Sequence, residues 1–175
     1  MRILVTGMSG TGKSTLMSEL ASRGYVAVDV DNPALGLTYS RSGGELGWNF
    51  PAIRTLLRQS KASPLFLAGC ADEQVELYDE FDYIVLLSAP PETLRERLAS
   101  RTGNDYGKSS EQLAAVFRYV ETVEPLLRRR ADLEVVTTMR VERVADVVLE
   151  LTSAEHATRR TSEKRERRTA STAPD

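Results

Sequence analysis

Histidine and cysteine are almost missing from this chain, whose 175 residues include one of each, His156 and Cys70. A single cysteine excludes an intramolecular disulfide. A single histidine, placed in a polar stretch near the C-terminus, excludes a histidine-based triad and a His/Cys zinc site for want of residues. Long apolar runs are lacking too: the longest, Tyr83–Leu87 with its neighbours, has the length of a strand rather than a membrane span. Glycines interrupt the opening Met1-Arg2-Ile3-Leu4-Val5 stretch too early for a signal peptide, so a cytoplasmic protein with no membrane partner is expected. Net charge is small, −2, but uneven: residues 155–175 carry six basic and four acidic side chains, which leaves a mildly acidic body. That balance argues against nucleic acid as the main partner. Any chemistry must therefore use Lys, Arg, Asp, Glu, hydroxyls and backbone amides, and phosphoryl transfer needs little else.

What is present suits a soluble domain with a real core, at 41% hydrophobic and 27% charged residues. Arg2–Thr6 alternates too little for a half-exposed strand and reads as a buried parallel one. Ser14–Arg23, with Leu16 and Leu20 four apart, predicts a helix ending at Gly24. Valine-rich Tyr25–Val30 is a second strand. Residues 32–47 carry Pro33 and four glycines and read as an irregular loop, followed by a helix over Pro51–Arg58 capped near Asn49. Pro64–Ala68, Asp82–Ser88 and Leu133–Val136 complete five strands. Helices are expected over Asp72–Tyr78, over Pro91–Arg101, as one long element from a Ser109 or Ser110 cap through Val123 to Arg128-Arg129-Arg130 at its end, and over Val141–Leu151. The alternation predicts an α/β domain, a three-layer α/β/α arrangement around a five-stranded parallel sheet, over residues 1–153. Hydrophobic residues vanish beyond Ser153, so residues 154–175 are expected to be a disordered polar tail.

Gly7-Met8-Ser9-Gly10-Thr11-Gly12-Lys13-Ser14 matches G-x-x-x-x-G-K-[ST] at every fixed position, between a buried strand and a helix. Glycines let the backbone wrap a phosphate with its N–H groups inward, and the helix N-terminus adds a favourable dipole. Gly7, Ser9, Gly10, Thr11, Gly12, Lys13, Ser14 and Thr15 are thus the candidate ATP-binding set, with Lys13 reaching the β- and γ-phosphates and Ser14 a Mg²⁺ ligand. At the end of the second strand, Val28-Asp29-Val30-Asp31 supplies two carboxylates at the sheet edge where ligands bind. Strand alternation would put both on one side. One can hold Mg²⁺ and the other can accept a proton from an attacking hydroxyl.

With these motifs the chain resembles the shikimate kinase and gluconate kinase branch of the P-loop kinases, in the nucleoside-monophosphate-kinase-like superfamily. The resemblance rests on the P-loop, on Gly24-Tyr25-Val26-Ala27-Val28-Asp29-Val30-Asp31 and on the Asp82–Leu98 segment leading to Arg97 and Arg101. The Asp-x-Asp is also reminiscent of dephospho-coenzyme A kinase. The resemblance implies a P-loop NTPase fold and an ATP- and Mg²⁺-dependent kinase, with Asp29 and Ser14 at the metal and Asp31 at the acceptor hydroxyl. It further implies that Arg97 and Arg101, four apart on one helix face, reach ATP, with Lys108 beside them in a lid over residues 102–109. Lys13, Asp31 and Arg101 are then the catalytic candidates. The backbone of Thr137-Thr138-Met139, after the fifth strand, would border adenine.

The acceptor side departs from the family pattern. The third strand ends Leu67-Ala68-Gly69-Cys70-Ala71-Asp72, with one glycine where shikimate kinases have three, and the Asp-Gly-Phe-Pro-Arg pattern of ordinary adenylate kinases is missing. Residues 32–60 should form the substrate-binding excursion, with Asp31, Trp48, Arg54 and Gly69 as candidate contacts to a small-molecule acceptor. Trp48 can stack on a base or sugar or simply pack, and Gly69 can admit a substrate or simply end a strand. Two other functions stay open: a divergent adenylate-kinase-like nucleotide kinase, and an ATP-binding regulatory switch without a small acceptor.

Overall fold

Ile3, Leu4, Val5 and Thr6 are fully buried, as a strand flanked by strands on both sides and helices on both faces must be. The computed structural model describes residues 1–40, 46–60, 64–102 and 106–153. The expected tail, the middle of the excursion and the middle of the lid lie outside the described residues. In chain order, β1 (Arg2–Thr6) leads to α1 (Lys13–Ser22) and β2 (Val26–Asp29). A hairpin of β3 (Thr38–Ser40) and β4 (Leu46–Trp48) precedes α2 (Phe50–Gln59) and β5 (Leu65–Ala68). A 3₁₀ helix, Asp72–Glu80, then runs into β6 (Tyr83–Ser88), followed by α3 (Pro91–Ser100), α4 (Ser110–Thr122) and α5 (Glu124–Arg128). β7 (Leu133–Val136) and α6 (Val141–Glu150) close the domain.

The main sheet is five-stranded in the order β2-β5-β1-β6-β7, and every pairing in it is parallel. It bears out the α/β/α expectation. On one face, Leu16, Met17 and Leu20 of α1 meet Val144, Ala145 and Val148 of α6 over Ile3, Val5 and Phe66. On the other, Ile53 and Leu57 of α2 meet Leu77 and Phe81 over Leu4, Leu65 and Leu67. Arg23 ties α1 to α6, reaching Asp146 at 2.7 Å and the Glu142 carbonyl at 2.9 Å. Since β1 has β5 on one side and β6 on the other, the chain reverses direction across the sheet at β1, and the P-loop emerges at that switch point.

Three expectations need correction. Residues 32–47 are not all irregular: Thr38 pairs with Trp48 and Tyr39 with Gly47 in the antiparallel hairpin. Glycine-rich sequence with little alternation hides so short a ribbon. The element after β5 is a 3₁₀ helix rather than an α-helix. The long helix past Ser109 breaks at Val123, because Pro125 has no N–H to donate four residues back. The caps were legible: Asn49 accepts from the Ala52 amide at 3.2 Å and Ser109 from the Gln112 amide at 3.2 Å.

Candidate functional site

Between β1 and α1 the chain makes a loop that places three glycines, Gly7, Gly10 and Gly12, at positive φ. Gly7 has φ +147°, and a Cβ there would sit 2.2 Å from the Leu87 carbonyl oxygen. Gly12, at φ +96°, is the left-handed N-cap of α1. Thr11 closes the loop on itself, its hydroxyl donating to the Met8 carbonyl at 2.8 Å. Lys13 folds over the same turn and donates through Nζ to the carbonyls of Gly7 at 2.6 Å and Met8 at 3.2 Å. Its ammonium is thereby fixed at the mouth of the loop. Ser9 and Gly10 are half-buried in the loop, whereas Ser14 and Thr15 are exposed on the first turn of α1.

Ser14 Oγ donates to Asp29 Oδ2 at 2.5 Å, which joins the first turn of α1 to the end of β2. The other carboxylate oxygen, Oδ1, accepts from the Asp31 amide at 3.1 Å, and the Asn32 amide returns to the Asp29 carbonyl at 3.1 Å. A turn, not the strand alternation expected from sequence, therefore brings the two aspartates together. Asp31 is exposed as a residue, yet protein crowds its carboxyl. That desolvation raises its pKa; the Lys13 charge opposes the shift and the Asp29 charge adds to it. Lys13, Ser14, Asp29 and Asp31 thus form one group at the C-terminal edge of the sheet.

Arg97 lies against the P-loop. Its Nη1 donates to the Gly10 carbonyl at 3.3 Å and to Thr137 Oγ1 at 2.9 Å, and its Nη2 donates to the Thr137 carbonyl. Thr137, buried at the end of β7, places its hydroxyl 2.9 Å from the Thr11 carbonyl and 3.1 Å from the Ser88 carbonyl. The pair braces the P-loop against the ends of β6 and β7. Arg101 donates to the Tyr106 carbonyl and so ties the end of α3 to the lid segment, while Lys108 is exposed. The Gly107 amide donates to Gln112 Oε1 at 2.9 Å, which anchors the far end of that segment on α4.

On the acceptor side, Trp48 is 3% exposed and packs with Val30, Leu37 and Ile53. Its face lies against Gly69: a Cβ there would be 2.6 Å from Trp48 Cζ2. Arg54 does not join the group, since it is paired with Glu80 at 2.7 Å and lies 5.7 Å from the Phe50 ring centroid. Glu80 in turn accepts from Arg2 at the opposite end of β1.

Sequence reasoning missed Gln74, buried after β5, whose Oε1 accepts from Thr6 Oγ1 at 3.1 Å. It also missed Glu124, 5% exposed, which Arg128 reaches at 2.7 Å. A glutamate directly before a helix-breaking proline was the available signal for Glu124; nothing in the sequence marks Gln74.

The whole domain superposes on known kinases. A shikimate kinase from Acinetobacter baumannii in complex with shikimate matches with a TM-score of 0.62 at 20% identity, covering 86% of this chain and 91% of that one. A shikimate kinase from Bacteroides thetaiotaomicron gives 0.60 at 19% identity over 86% and 97%. A sugar kinase from a Janibacter species gives 0.53 at 18% identity over 85% and 92%. Identities this low carry the fold, and no curated protein matches the sequence. Residues 3–118, which include the P-loop, both aspartates and α3, match the model of the AAA domain family, and on that match this P-loop chain, folded like a shikimate kinase, belongs to the AAA domain family.

Proposed function

We propose that the protein is an ATP-dependent kinase that transfers the γ-phosphoryl group to a hydroxyl of a small molecule. The observation that carries this reading is the convergence of Lys13, the Ser14–Asp29 pair and the desolvated Asp31 at the mouth of one P-loop. The donor set fits Mg²⁺: one hydroxyl and one carboxylate, side by side on the exposed first turn of α1 and the end of β2, leave room for the waters and phosphate oxygens this cation keeps. Ser14 and Asp29 would hold it, and when bound it supplies charge neutralisation on the phosphates.

In the proposed reaction Lys13 exchanges its two loop carbonyls for phosphate oxygens, and the loop amides with the N-terminus of α1 receive the remaining charge. Asp31 orients the acceptor hydroxyl and takes its proton as the new O–P bond forms and the bond to the β-phosphate oxygen breaks, releasing ADP. A carboxyl whose surroundings favour its neutral form suits that step, because it holds the proton it accepts. Arg97 and Thr137 act one step back, by fixing the loop. The test couples calorimetry with an ADP-release assay over an acceptor panel. ATP should bind with Mg²⁺, Lys13→Ala should lose at least about tenfold in affinity, and one acceptor class should stimulate ADP release. Parental affinity in Lys13→Ala would refute the phosphate site, and ATP binding that no acceptor stimulates would favour the regulatory switch.

A further inference from the structure

We infer that Gln74, Tyr78 and Arg130 form a binding site for an oxyanion carried by the acceptor, a carboxylate or a phosphate, in which Gln74 positions the Tyr78 hydroxyl to donate; this rests on the kinase reading above. The site hangs on a chain of side-chain hydrogen bonds rooted in the strand that leads into the P-loop. Thr6, fully buried, directly precedes Gly7, and its hydroxyl donates to Gln74 Oε1 at 3.1 Å. Gln74 is 2% exposed, and Nε2, on the other side of its amide, donates to the Tyr78 hydroxyl oxygen at 3.1 Å. Burying a primary amide is costly unless it is paired, and this one is paired with two hydroxyls. Because the Tyr78 oxygen accepts from Gln74, its own proton is turned away from the chain. Among the described residues nothing accepts that proton.

Tyr78 packs on the cluster of α2, whereas Cys70, past the end of β5, and Ala131, the residue after Arg130, pack on Met8, Leu86 and Leu127. The phenol stands where these clusters adjoin, since the Cys70 thiol and the Arg130 guanidinium both act on it electrostatically. Burial raises the Tyr78 pKa; the Gln74 bond opposes the shift, Cys70 adds to it and the Arg130 charge opposes it, and the group stays a neutral donor. The strand order puts β5 between β2, which ends at Asp29, and β1, which ends at Thr6. An acceptor lying across the end of β5 would place its acid at Tyr78 and its reacting hydroxyl at Asp31.

Charge points to an oxyanion rather than a bare hydroxyl. Arg54 is spent on Glu80, Arg97 on backbone carbonyls and the Thr137 hydroxyl, and Arg128 on both Glu124 and Glu134. Arg130 is exposed and has no ion pair among the described residues. Asp132, two residues on, turns its carboxylate to the Ile84 amide at 2.8 Å. A guanidinium beside a spare O–H offers donors only, which is the complement of a carboxylate or a phosphate.

The test uses three probes on one carbon skeleton, glucose, gluconate and glucose 6-phosphate, with Mg-ATP and the full chain. ADP release should be at least about tenfold faster with gluconate or glucose 6-phosphate than with glucose, the worth of one hydrogen bond to a charged group. The two anions separate a carboxylate site from a phosphate site. Arg130→Gln should bring the preferred anion down to the rate of glucose, and Tyr78→Phe, which keeps the ring, should lower its kcat/KM by about tenfold, both with ATP affinity unchanged. Gln74→Met leaves the Tyr78 hydroxyl free to turn, so it should lower kcat/KM in the parent but no further in Tyr78→Phe. A merely structural glutamine would lower stability in both backgrounds and kcat/KM in neither, which would overturn its positioning role. Glucose matching or exceeding both anions, parental kcat/KM in Tyr78→Phe or Arg130→Gln, or ATP binding without stimulation by any of the three overturns the inference and leaves nucleotide binding standing. Failure of the chain to bind ATP at all overturns the kinase reading instead.

Discussion

Gly69→Ala is the sharpest perturbation that the acceptor side offers. No backbone strain enters, because Gly69 is not among the glycines with positive φ. The effect is steric: the added Cβ would stand 2.6 Å from Trp48 Cζ2 and 3.3 Å from both Trp48 Cε2 and Val30 Cβ. Carbon–carbon contact is comfortable at roughly 3.5–4.0 Å, so the indole must retreat by about 1 Å. It has little room to do so, being 3% exposed and walled by Val30, Leu37 and Ile53. Overpacking of this kind costs about 1–3 kcal/mol, which for a domain of this size lowers Tm by roughly 2–12 °C. Scanning fluorimetry reads the Tm, and Trp48 emission reads the displacement. ATP affinity should hold, since the P-loop is braced by Arg97, Thr137 and the Leu87 carbonyl and not by Trp48. Acceptor turnover should fall by up to about 10²-fold, the usual consequence of a 1 Å misplacement beside the reacting group. Parental Tm together with parental emission would show that Trp48 yields freely and that Gly69 merely ends a strand.

Asp29→Asn should raise the Mg²⁺ concentration needed for half-maximal ATP binding while leaving the fold intact, and a Mg²⁺ titration by calorimetry with an unmoved midpoint would refute the metal assignment. Thr137→Val keeps the shape but leaves the Thr11 carbonyl and Arg97 short of a partner. A loss of about 1–3 kcal/mol in chemical denaturation and a weaker ATP complex are expected. Asp31→Asn should lower turnover by roughly 10²–10⁴-fold at unchanged ATP affinity. Because the folded state raises the Asp31 pKa, the carboxyl disfavours folding as pH climbs from its ordinary value through the raised one. The Asn variant should therefore be no less stable than the parent at neutral pH and more nearly equal to it in acid, and the parent's turnover should fall as acid protonates Asp31. A variant less stable than the parent at pH 7 would contradict the desolvated carboxyl.

The P-loop and the sheet were legible because their residues are dictated locally. A glycine that alone fits against the Leu87 carbonyl, a left-handed cap at Gly12 and a strand buried on both faces leave marks in any sequence that makes them. Asp29 and Asp31 were legible as a pair but not in their geometry: a carboxylate accepting the amide two residues on is a turn, and Asp-x-Asp spacing serves a turn and a strand equally. Arg97 and Arg101 show what helical spacing leaves open. The spacing would put both on one face, but α3 ends at Ser100 and Arg101 is its extended C-cap, so one reaches back to the P-loop and β7 while the other reaches on to Tyr106. Gln74 was illegible for the same reason. Gln74 pairs with Thr6, brought up from β1, whereas the partner of Glu124, Arg128, is only four residues on and it is the burial of Glu124 that tertiary packing supplies.

The two aspartates also separate the proposed roles on physical grounds. Asp29 is engaged at both oxygens, one by the Ser14 hydroxyl and one by the Asp31 amide. A carboxylate engaged in this way beside a hydroxyl presents a hard cation with a ready pair of oxygen ligands. Asp31 has different surroundings: desolvation and its neighbour's charge favour the protonated form, and the Lys13 charge opposes that shift. A base must hold the proton it accepts, and a carboxyl in such surroundings is suited to that. Exchanging the two roles would send the proton to a carboxylate already engaged at both oxygens and put the metal beside the desolvated one. That asymmetry, set by a turn of four residues, favours Asp31 as the base and Asp29 as the metal ligand.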